Sequence, residues 1–538
     1  MLRMARSRRP RNTPSLANVP PAEVSPVPAW TSAAVGAALL AVYLMWAPRT
    51  SGDKDSSEFT VVLATLGLAH PTGYAIYTLL GHAFVGMLHA CGAGWAWAAN
   101  AWSALGGAVA LALWHALGAR LLARQGVAPL RAVALAVLPA AAFGLNPVWT
   151  AETTVAEVSG WHLAWVAGAL LLAFATLVAL PARRSDAAWV KRRAVAWGLL
   201  VGLGLAHHAT SIIVALPLTI GLLVAARPVR PSWLAGALAG ALVPLLAWSY
   251  VLYRSLHPAV VQWGSLGPGL RETWNHVTAA GYRHYLGGFA PSPEQRAELG
   301  SCVYPWLAPG LMAALLWPFT ARGEVRRTRL ALAAPVFLQT AYAFSYRVAD
   351  PSTYFLPAVA LGLFLMPAAA ATFGALRRLA WPVAAIASIA LGVAAWFWSG
   401  TAIERRTTCE RADEFLRTMW RAVPIQHGYV LWDDDMSYRL VQYQQLDGEK
   451  PGLVVVAPLL LMDEGARRLF ARRHGFDPLG GASPPADADA DAPGRDREFA
   501  SLIATGINRS SPDSVILFLP AELSLRLLPK PPSAAPPR

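Results

Sequence analysis

The sequence predicts a polytopic α-helical membrane protein with about eleven transmembrane helices and a small soluble α/β domain at its C-terminal end. Three observations predict this fold class. The chain is 55% hydrophobic and only 14% charged, whereas soluble globular chains carry about 25% charged residues. Many of its apolar runs approach the roughly 20 residues that a helix needs to cross a bilayer. Beyond residue 400, short strand-like and helix-like segments replace these runs.

The excess of basic residues predicts membrane topology, and we expect no nucleic-acid partner. The net charge is +14, and the arginines and lysines lie mainly in short loops between apolar runs. Short loops rich in Lys and Arg face the cytoplasm. Residues 1–28 are basic and then proline-rich, without the pattern of a cleaved signal peptide. We expect them to form a disordered cytoplasmic tail.

A cytoplasmic N-terminus and eleven crossings put the basic loops inside and the acidic segments 52–58 and 151–157 outside. This prediction makes residues 29–400 the membrane domain, with a large outer loop at 256–303. The predicted spans are 29–47, 95–119, 131–147, 161–180, 194–206, 209–226, 233–255, 304–320, 330–346, 353–373 and 380–400.

One apolar segment, 72–90, is long enough to form a further span. A crossing there would invert the next loops and put Arg183 to Arg193 outside, against the rule for basic loops. We therefore expect 48–90 to be an outer loop with re-entrant or interfacial helices. The alternative, in which 72–90 crosses, stays open.

Residues 401–538 predict a small α/β domain on the periplasmic side. Apolar and β-branched runs predict strands, and helical spacing predicts one helix. The low-complexity stretch 480–497 predicts a flexible loop, and the last residues a disordered tail. The predicted strands are 428–432, 453–461 and 514–519, and the predicted helix is 437–446.

Three cysteines, Cys91, Cys302 and Cys409, lack the spacing of metal ligands. Cys302 and Cys409 fall on the same predicted side of the membrane, so a disulfide between them stays open. No P-loop, GxSxG or GxGxxG motif stands out. We therefore expect neither a metal nor another cofactor.

Two carboxylates follow directly on the first predicted span. Asp55 and Glu58 are three residues apart, which on a helix puts both on one face. Ionisable groups at a membrane boundary are costly and indicate a functional site. One of them could accept the proton of an acceptor hydroxyl as a general base. The same DSSE sequence also fits a capping box, in which both side chains only satisfy backbone N–H groups.

The sequence HPTGY follows at residues 70–74. Pro71 disfavours helix at His70, and Gly73 permits unusual backbone angles, so the segment predicts a turn. His70 and Tyr74 are candidate ligands for a phosphate or a sugar hydroxyl. The alternative is a helix break with a hydrogen-bonded histidine.

A second wall of the site is predicted from two further segments. Glu157 and His162 lie in AEVSGWH, at the outer mouth of the next pair of spans. His207 and His208 interrupt an apolar run, which is costly unless they face a cavity. Acids on a short outer loop can, however, simply be solvated.

Arg347 and Asp350 lie in SYRVADPSTY, again at an outer boundary. A guanidinium is suited to bidentate recognition of phosphate, whereas an ion pair between Arg347 and Asp350 would only close the loop.

A site of acids, histidines and an arginine that opens to the outer side of the membrane is well suited to one reaction. It could transfer a phosphate-linked sugar from a lipid to a hydroxyl, because stabilising the leaving charge is often the largest catalytic contribution.

Several segments resemble a family of bacterial multispanning proteins related to the animal transmembrane protein O-mannosyltransferase. In DSSEF and LGLAHPTGYAIYTLLG, the positions of Asp55, Glu58, His70 and Tyr74 match the family pattern. AEVSGWH and GLGLAHHATSI resemble further segments of the family and carry over the residues Glu157, His207 and His208. Ser57 and Thr72 replace a glycine and a proline of the pattern.

This resemblance implies a glycosyltransferase of the C superfamily fold, which uses a polyprenyl-phosphate sugar, usually without a required metal. We therefore expect an inverting enzyme of the bacterial inner membrane with Asp55 as base and Glu58 positioning or sharing that role. His70, His207, His208 and Arg347 would bind the donor. The soluble domain would engage a protein or glycan acceptor. A flippase or transporter of lipid-linked glycans and a non-catalytic scaffold remain as alternatives.

Overall fold

The structure is a computed structural model that describes residues 27–52, 55–258, 266–348, 350–372, 375–432, 436–483, 495–519 and 524–530. Most of the predicted N-terminal tail, most of the predicted loop 480–497 and the end of the chain lie outside these residues. The three cysteines are free, so the disulfide left open by the sequence is not formed.

Helices dominate the described part of the chain up to residue 422. They are α1 (Ala29–Trp46), α2 (Ser56–Thr65), α3 (Ala75–Ala90), α4 (Trp95–Arg124), α5 (Pro129–Gly144), α6 (Pro147–Thr153), α7 (Ser159–Arg183), α8 (Ala187–His207), α9 (Ser211–Ala225), α10 (Pro231–Leu245), α11 (Trp248–Leu256), α12 (Leu270–Val277), α13 (Pro293–Glu298), α14 (Tyr304–Leu316), α15 (Gly323–Ser345), α16 (Pro351–Thr372) and α17 (Ala375–Ala422).

Six helical segments among the described residues are long and apolar enough to cross a membrane, or seven if the bent pair α5 and α6 forms one span. The protein is therefore a multi-pass membrane protein. Each of the eleven predicted spans overlaps a helix of the structure, but the count of eleven crossings stays a prediction. The six segments are Ala29–Trp46, Trp95–Arg124, Ser159–Arg183, Pro231–Leu256, Pro293–Thr320 and Pro351–Thr372.

Some helix boundaries differ from those predicted. α8 begins at Ala187 rather than at residue 194, because Lys191, Arg192 and Arg193 are good helix formers and extend it. The predicted span 194–206 is thus part of a helix of 21 residues. α17 continues through the predicted domain boundary at residue 400 and ends only at Ala422. Charged residues become frequent after residue 400, but the helix continues unbroken across this point.

α4 lies at the centre of the helical domain. It packs against α1, α5 and α7, and most of its side chains are buried. The Tyr43 hydroxyl on α1 donates to the carbonyl oxygen of Gly144 at 2.7 Å and accepts from Nε1 of Trp149 at 2.8 Å.

Helices α14 and α16 cross closely at two glycines. A Cβ added to Gly310 on α14 would lie 2.7 Å from the Cα of Gly362 on α16. Small residues at such helix crossings are typical of membrane bundles.

The segment after α17 contains a four-stranded sheet in the order β2-β1-β3-β4. β1 pairs in parallel with β2 and β3, and β4 is antiparallel to β3. β2 is shorter than predicted because Pro458 starts a 3₁₀ turn. Two helices, α19 and α20, had no counterpart in the sequence prediction. The elements are β1 (Gly428–Leu431), α18 (Ser437–Gln445), β2 (Leu453–Val456), α19 (Glu464–His474), α20 (Arg495–Ser510), β3 (Val515–Leu519) and β4 (Ser524–Leu527).

Helix α18 joins this C-terminal segment to the start of α2. The Arg439 side chain is fully buried, and its Nη2 donates to the carbonyl oxygens of Ser51 at 2.8 Å and Gly52 at 2.9 Å. The Ser51 hydroxyl in turn donates to Gln442. A buried guanidinium therefore holds the backbone that leads into α2.

We predict that Arg439→Ala lowers the free energy of unfolding by about 3 kcal/mol, because two buried carbonyls lose a charged donor. Thermal unfolding of the purified protein in detergent measures this as a lower melting temperature. Arg468→Ala is the matched control, since its ion pair with Glu464 is largely exposed. It should change stability by no more than about 0.5 kcal/mol. Equal melting temperatures for the two variants would contradict the role given to Arg439.

Candidate active site

Asp55 lies at the N-cap position of α2, but its side chain makes no capping hydrogen bond. The Asp55 side chain is 52% exposed, and Glu58, one turn later, is buried. The capping box that the sequence allowed is therefore not formed. The two carboxylates have different surroundings, one open to solvent and one enclosed.

Glu58 binds the turn that follows α2 through a single residue. Its Oε1 accepts the backbone N–H of His70 at 2.7 Å, and its Oε2 lies 3.0 Å from Nδ1 of the same residue. The turn is closed by the N–H of Gly73, which donates to the carbonyl oxygen of His70 at 2.7 Å. Gly73 has φ +77°, a conformation that favours glycine. The HPTGY segment is thus a turn, as predicted, and Glu58 holds it.

The second ring nitrogen of His70 faces the open side of the cluster. Nε2 lies 3.0 Å from the Tyr74 hydroxyl and 3.8 Å from Oδ2 of Asp55. Burial alone would lower the pKa of His70, but the carboxylates of Glu58 and Asp55 outweigh it and raise the pKa to about 9. At neutral pH the cluster therefore holds a proton on His70 between two carboxylates.

Asp55, Glu58 and His70 could also hold a divalent cation. Each offers a ligand atom, and these atoms lie within 4.8 Å of one another. This geometry was not predicted from the sequence, because the spacing of the three residues matches no metal motif. However, both oxygens of Glu58 and both ring nitrogens of His70 already make contacts within the cluster. Two of the three residues are therefore already engaged, and the Asp55 carboxylate is the most open of the set.

Three histidines of the predicted second wall, His162, His207 and His208, lie next to Tyr74, and we call them the histidine wall. The ring of Tyr74 lies 5.5 Å from that of His208, and the His208 and His162 rings are 4.7 Å apart, measured between centroids. The Thr210 hydroxyl joins them, at 2.7 Å from Nδ1 of His208 and 3.4 Å from Nε2 of His162. The His207 ring follows at 6.3 Å from that of His162. A continuous row of polar rings thus begins at His70.

Glu157 is buried beside this row. Its backbone is fixed by Ser103, whose hydroxyl accepts from the Glu157 N–H at 2.8 Å and donates to its carbonyl oxygen at 2.7 Å. Ser56 Oγ accepts the N–H of Ala156 at 3.2 Å and so joins this loop to the first turn of α2. The two acidic segments predicted to lie outside are therefore in contact.

Arg347 and Asp350 lie on the turn between α15 and α16, and Arg347 is exposed. The Arg347 N–H donates to the carbonyl oxygen of Tyr285 at 2.8 Å. Tyr354, just beyond this turn, is close enough to Tyr74 and Asp55 to interact electrostatically with both. The turn thus borders the carboxylate cluster.

Two tyrosines near the carboxylates were missed by the sequence analysis. Tyr282, in the outer loop, and Tyr438, on α18, both interact electrostatically with Glu58 and Asp55. Tyr438 also packs against the apolar cluster that contains Phe59. The two tyrosines of YRHY, residues 282–285, were a weak signal in the sequence for Tyr282. Nothing in the sequence placed residue 438 beside residue 58.

One family profile matches a part of the chain. Residues 55–231 match the family profile described as the N-terminal domain of the protein O-mannosyl-transferase TMEM260. This segment carries all the predicted site residues except Arg347 and Asp350. The chain is therefore related to this family. No curated protein matches the sequence significantly.

One solved structure resembles almost the whole chain. It is ArnT from Cupriavidus metallidurans bound to undecaprenyl phosphate, with a TM-score of 0.54 and 13% sequence identity. The match covers 91% of this chain and 93% of ArnT. At this identity the likeness concerns the fold. The two chains therefore share a fold.

We predict that His70 makes stability fall as the pH rises from about 7 to above 9. Its pKa of about 9 in the folded protein exceeds the usual 6.5, so its stabilising effect is complete below pH 6.5 and is lost as the pH passes 9. The slope can approach about 1.4 kcal/mol per pH unit. Melting temperatures of wild type and His70→Gln across this range measure it, and the variant should lack this contribution.

His89→Gln is the control for this measurement, because His89 is exposed on α3 and stacks on Trp95. It should keep the pH dependence of the wild type. The same slope in His70→Gln and wild type would show that His70 does not hold the proton.

Proposed function

We propose that the protein is a membrane glycosyltransferase that moves a mannose-like sugar from a polyprenyl-phosphate donor to a hydroxyl acceptor. The observation that carries this proposal is the unequal pair of carboxylates at the start of α2. Glu58 is buried and hydrogen-bonded twice to His70, whereas the Asp55 carboxylate is half-exposed and free of a capping bond. One acid is thus structural and the other is accessible to a substrate.

In the proposed reaction Asp55 is the general base. The acceptor hydroxyl oxygen attacks the anomeric carbon from the face opposite the phosphate while its proton passes to the Asp55 carboxylate. The bond between the anomeric carbon and the phosphate oxygen breaks, and the lipid phosphate leaves with the electron pair. A single displacement of this kind inverts the anomeric configuration. The proton on His70 limits how far negative charge accumulates beside Asp55.

The donor is assigned to the histidine wall. Among the described residues, Nδ1 of His162 and Nε2 of His207 are buried without a hydrogen-bond partner. Buried polar atoms are nearly always paired in folded proteins, so these two atoms are suited to sugar hydroxyls or phosphate oxygens of a ligand. His208 and Tyr74 would bring the donor next to Asp55, and Arg347 would offset the phosphate charge.

The proposed setting is the bacterial inner membrane, with the N-terminus in the cytoplasm and the C-terminal segment in the periplasm. The basic loops support this orientation. ArnT, whose fold this chain resembles, is bound to undecaprenyl phosphate in its crystal structure, which supports a polyprenyl phosphate as the lipid here. The acceptor would be a protein or glycan hydroxyl on the periplasmic side.

Sugar transfer from synthetic polyprenyl-phosphate mannose and related donors to membrane proteins tests the proposal. Wild type should give labelled product, and Asp55→Asn should reduce the rate by roughly 10²–10⁴-fold, because a positioned base contributes that much. Glu324→Gln is the control, since Glu324 is exposed and pairs only loosely with Arg184, 3.6 Å away. Equal rates in Asp55→Asn and wild type would remove Asp55 as the base. No transfer from any of these donors would favour the transporter alternative.

We predict that transfer does not depend on a divalent cation. The oxygens of Glu58 and the ring nitrogens of His70 are already engaged with each other and with Tyr74. The rate should therefore stay within about twofold of its original value after exhaustive treatment with EDTA. Loss of activity that Mg²⁺, Mn²⁺ or Zn²⁺ restores would instead make Asp55, Glu58 and His70 a metal site.

A further inference from the structure

A cavity of about 500 Å³ lies in the C-terminal segment, away from the histidine wall. Its volume is in the usual range of ligand-binding clefts. One wall is helix α18, through Tyr438 and Val441, and another is helix α19, through Leu469 and Phe470. The five consecutive residues 453–457 line it as well. Because side chains of a strand alternate between its faces, consecutive lining residues mean that the cavity runs along the edge of β2.

This edge of β2 is open at Val455. β2 is the outermost strand of the described sheet, and the carbonyls of Gly452 and Val456 accept hydrogen bonds from Gly428 and Trp432. At Leu453 the outer edge is already occupied, because its N–H donates to the carbonyl oxygen of Lys450 and its carbonyl oxygen accepts from Nε2 of Gln444. Backbone groups of alternate residues point to opposite edges of a strand, so Val455 points outward. No described residue pairs with the Val455 backbone on that side. The cavity thus contains an unpaired backbone donor and acceptor beside apolar side chains.

Helix α18 lines this cavity and also contacts α2, which carries Glu58. Tyr438 and Val441 line the cavity and also pack against the apolar cluster that contains Phe59 of α2. Arg439, between them in sequence, binds the carbonyls of Ser51 and Gly52. A chain that occupies the cavity could therefore continue past α18 to Asp55.

We propose that the cavity binds an extended segment of an acceptor polypeptide, which pairs with the backbone of Val455 on the outer edge of β2 and delivers a serine or threonine hydroxyl to Asp55. This inference rests on the proposed function and names its acceptor. Strand addition to an open edge is an established mode of peptide recognition, in which backbone hydrogen bonds give affinity and pockets select side chains. The aliphatic lining favours peptide side chains over a glycan, whose hydroxyl groups would need polar partners.

The rim of the cavity adds a preference for acidic or polar residues in the peptide. Arg473 and His474 end α19 at the cavity, and Gln444 and Gln445 end α18 there. These groups are suited to carboxylate side chains next to the hydroxyl-bearing residue.

The test uses the full-length protein, polyprenyl-phosphate mannose and decapeptides that carry one central threonine and one photoreactive leucine. Photo-crosslinking without donor should give adducts on β2 or α19. N-methylation of one alternate set of peptide amides should raise the KM of the peptide about tenfold, because it removes the N–H that donates to the Val455 carbonyl oxygen. Methylation of the other set should change the KM less than twofold.

A protein variant provides an independent readout. Val455→Pro removes the outward N–H, and proline is tolerated on edge strands whose N–H faces outward. It should raise the peptide KM, whereas Val455→Thr keeps the backbone donor and should resemble wild type. Thermal melting checks that each variant folds, and the methylated peptides give the same test without changing the protein.

The outcomes separate this inference from the proposed function. Absence of sugar transfer in wild type, with adducts on β2, would overturn the enzyme assignment and keep the peptide cleft. Transfer to peptides with unchanged KM in both methylated series, or adducts confined to other parts of the chain, would overturn the cleft. Transfer to glycans and never to peptides would also overturn it.

Discussion

The buried carboxylate of Glu58 is the constraint on which the rest of the site depends. A carboxylate in an enclosed position is costly unless its oxygens are hydrogen-bonded, and here one residue, His70, supplies both partners. This fixes the turn after α2 and orients the His70 ring. The ring then holds the Tyr74 hydroxyl, and Tyr74 contacts His208. Asp55, which takes no part in holding the turn, remains accessible.

A segment more than 370 residues later in the chain contacts the backbone that leads into α2. Asn100 of α4 fixes the earlier part of this approach by donating to the carbonyl oxygens of Pro48 and Thr50 at 3.0 Å. Arg439 supplies donors to two backbone carbonyls just before α2, and Ser56 joins α2 to the loop of Glu157. The C-terminal segment is thereby tied to the backbone that carries Asp55 and Glu58.

Local patterns in the sequence predicted much of this arrangement. Asp55, Glu58, His70 and Tyr74 lie within twenty residues, so the helix, the proline and the glycine between them largely determine how they meet. Every predicted span also overlaps a helix, because apolar runs specify helices in lipid. Boundaries were less accurate. α8 and α17 extend beyond the apolar runs, since charged residues continue a helix as readily as apolar ones.

Contacts between distant segments were beyond sequence reasoning. Tyr438 and Tyr282 lie beside the carboxylates through tertiary packing, and no local pattern encodes such a meeting. The capping box fitted the DSSE sequence, yet Glu58 binds His70 instead, because a buried histidine offers two donors at once. The cavity along β2 depends on which strand is outermost, and strand order is a property of the whole sheet.

The central claim is a single displacement in which Asp55 removes the acceptor proton and a lipid phosphate leaves. The most direct test is the anomeric configuration of the product formed from a synthetic polyprenyl-phosphate sugar of defined configuration, determined by NMR. This mechanism predicts inversion, since one attack from the face opposite the phosphate forms the product. Retention of configuration would contradict it, because two displacements or a front-side attack would then be required.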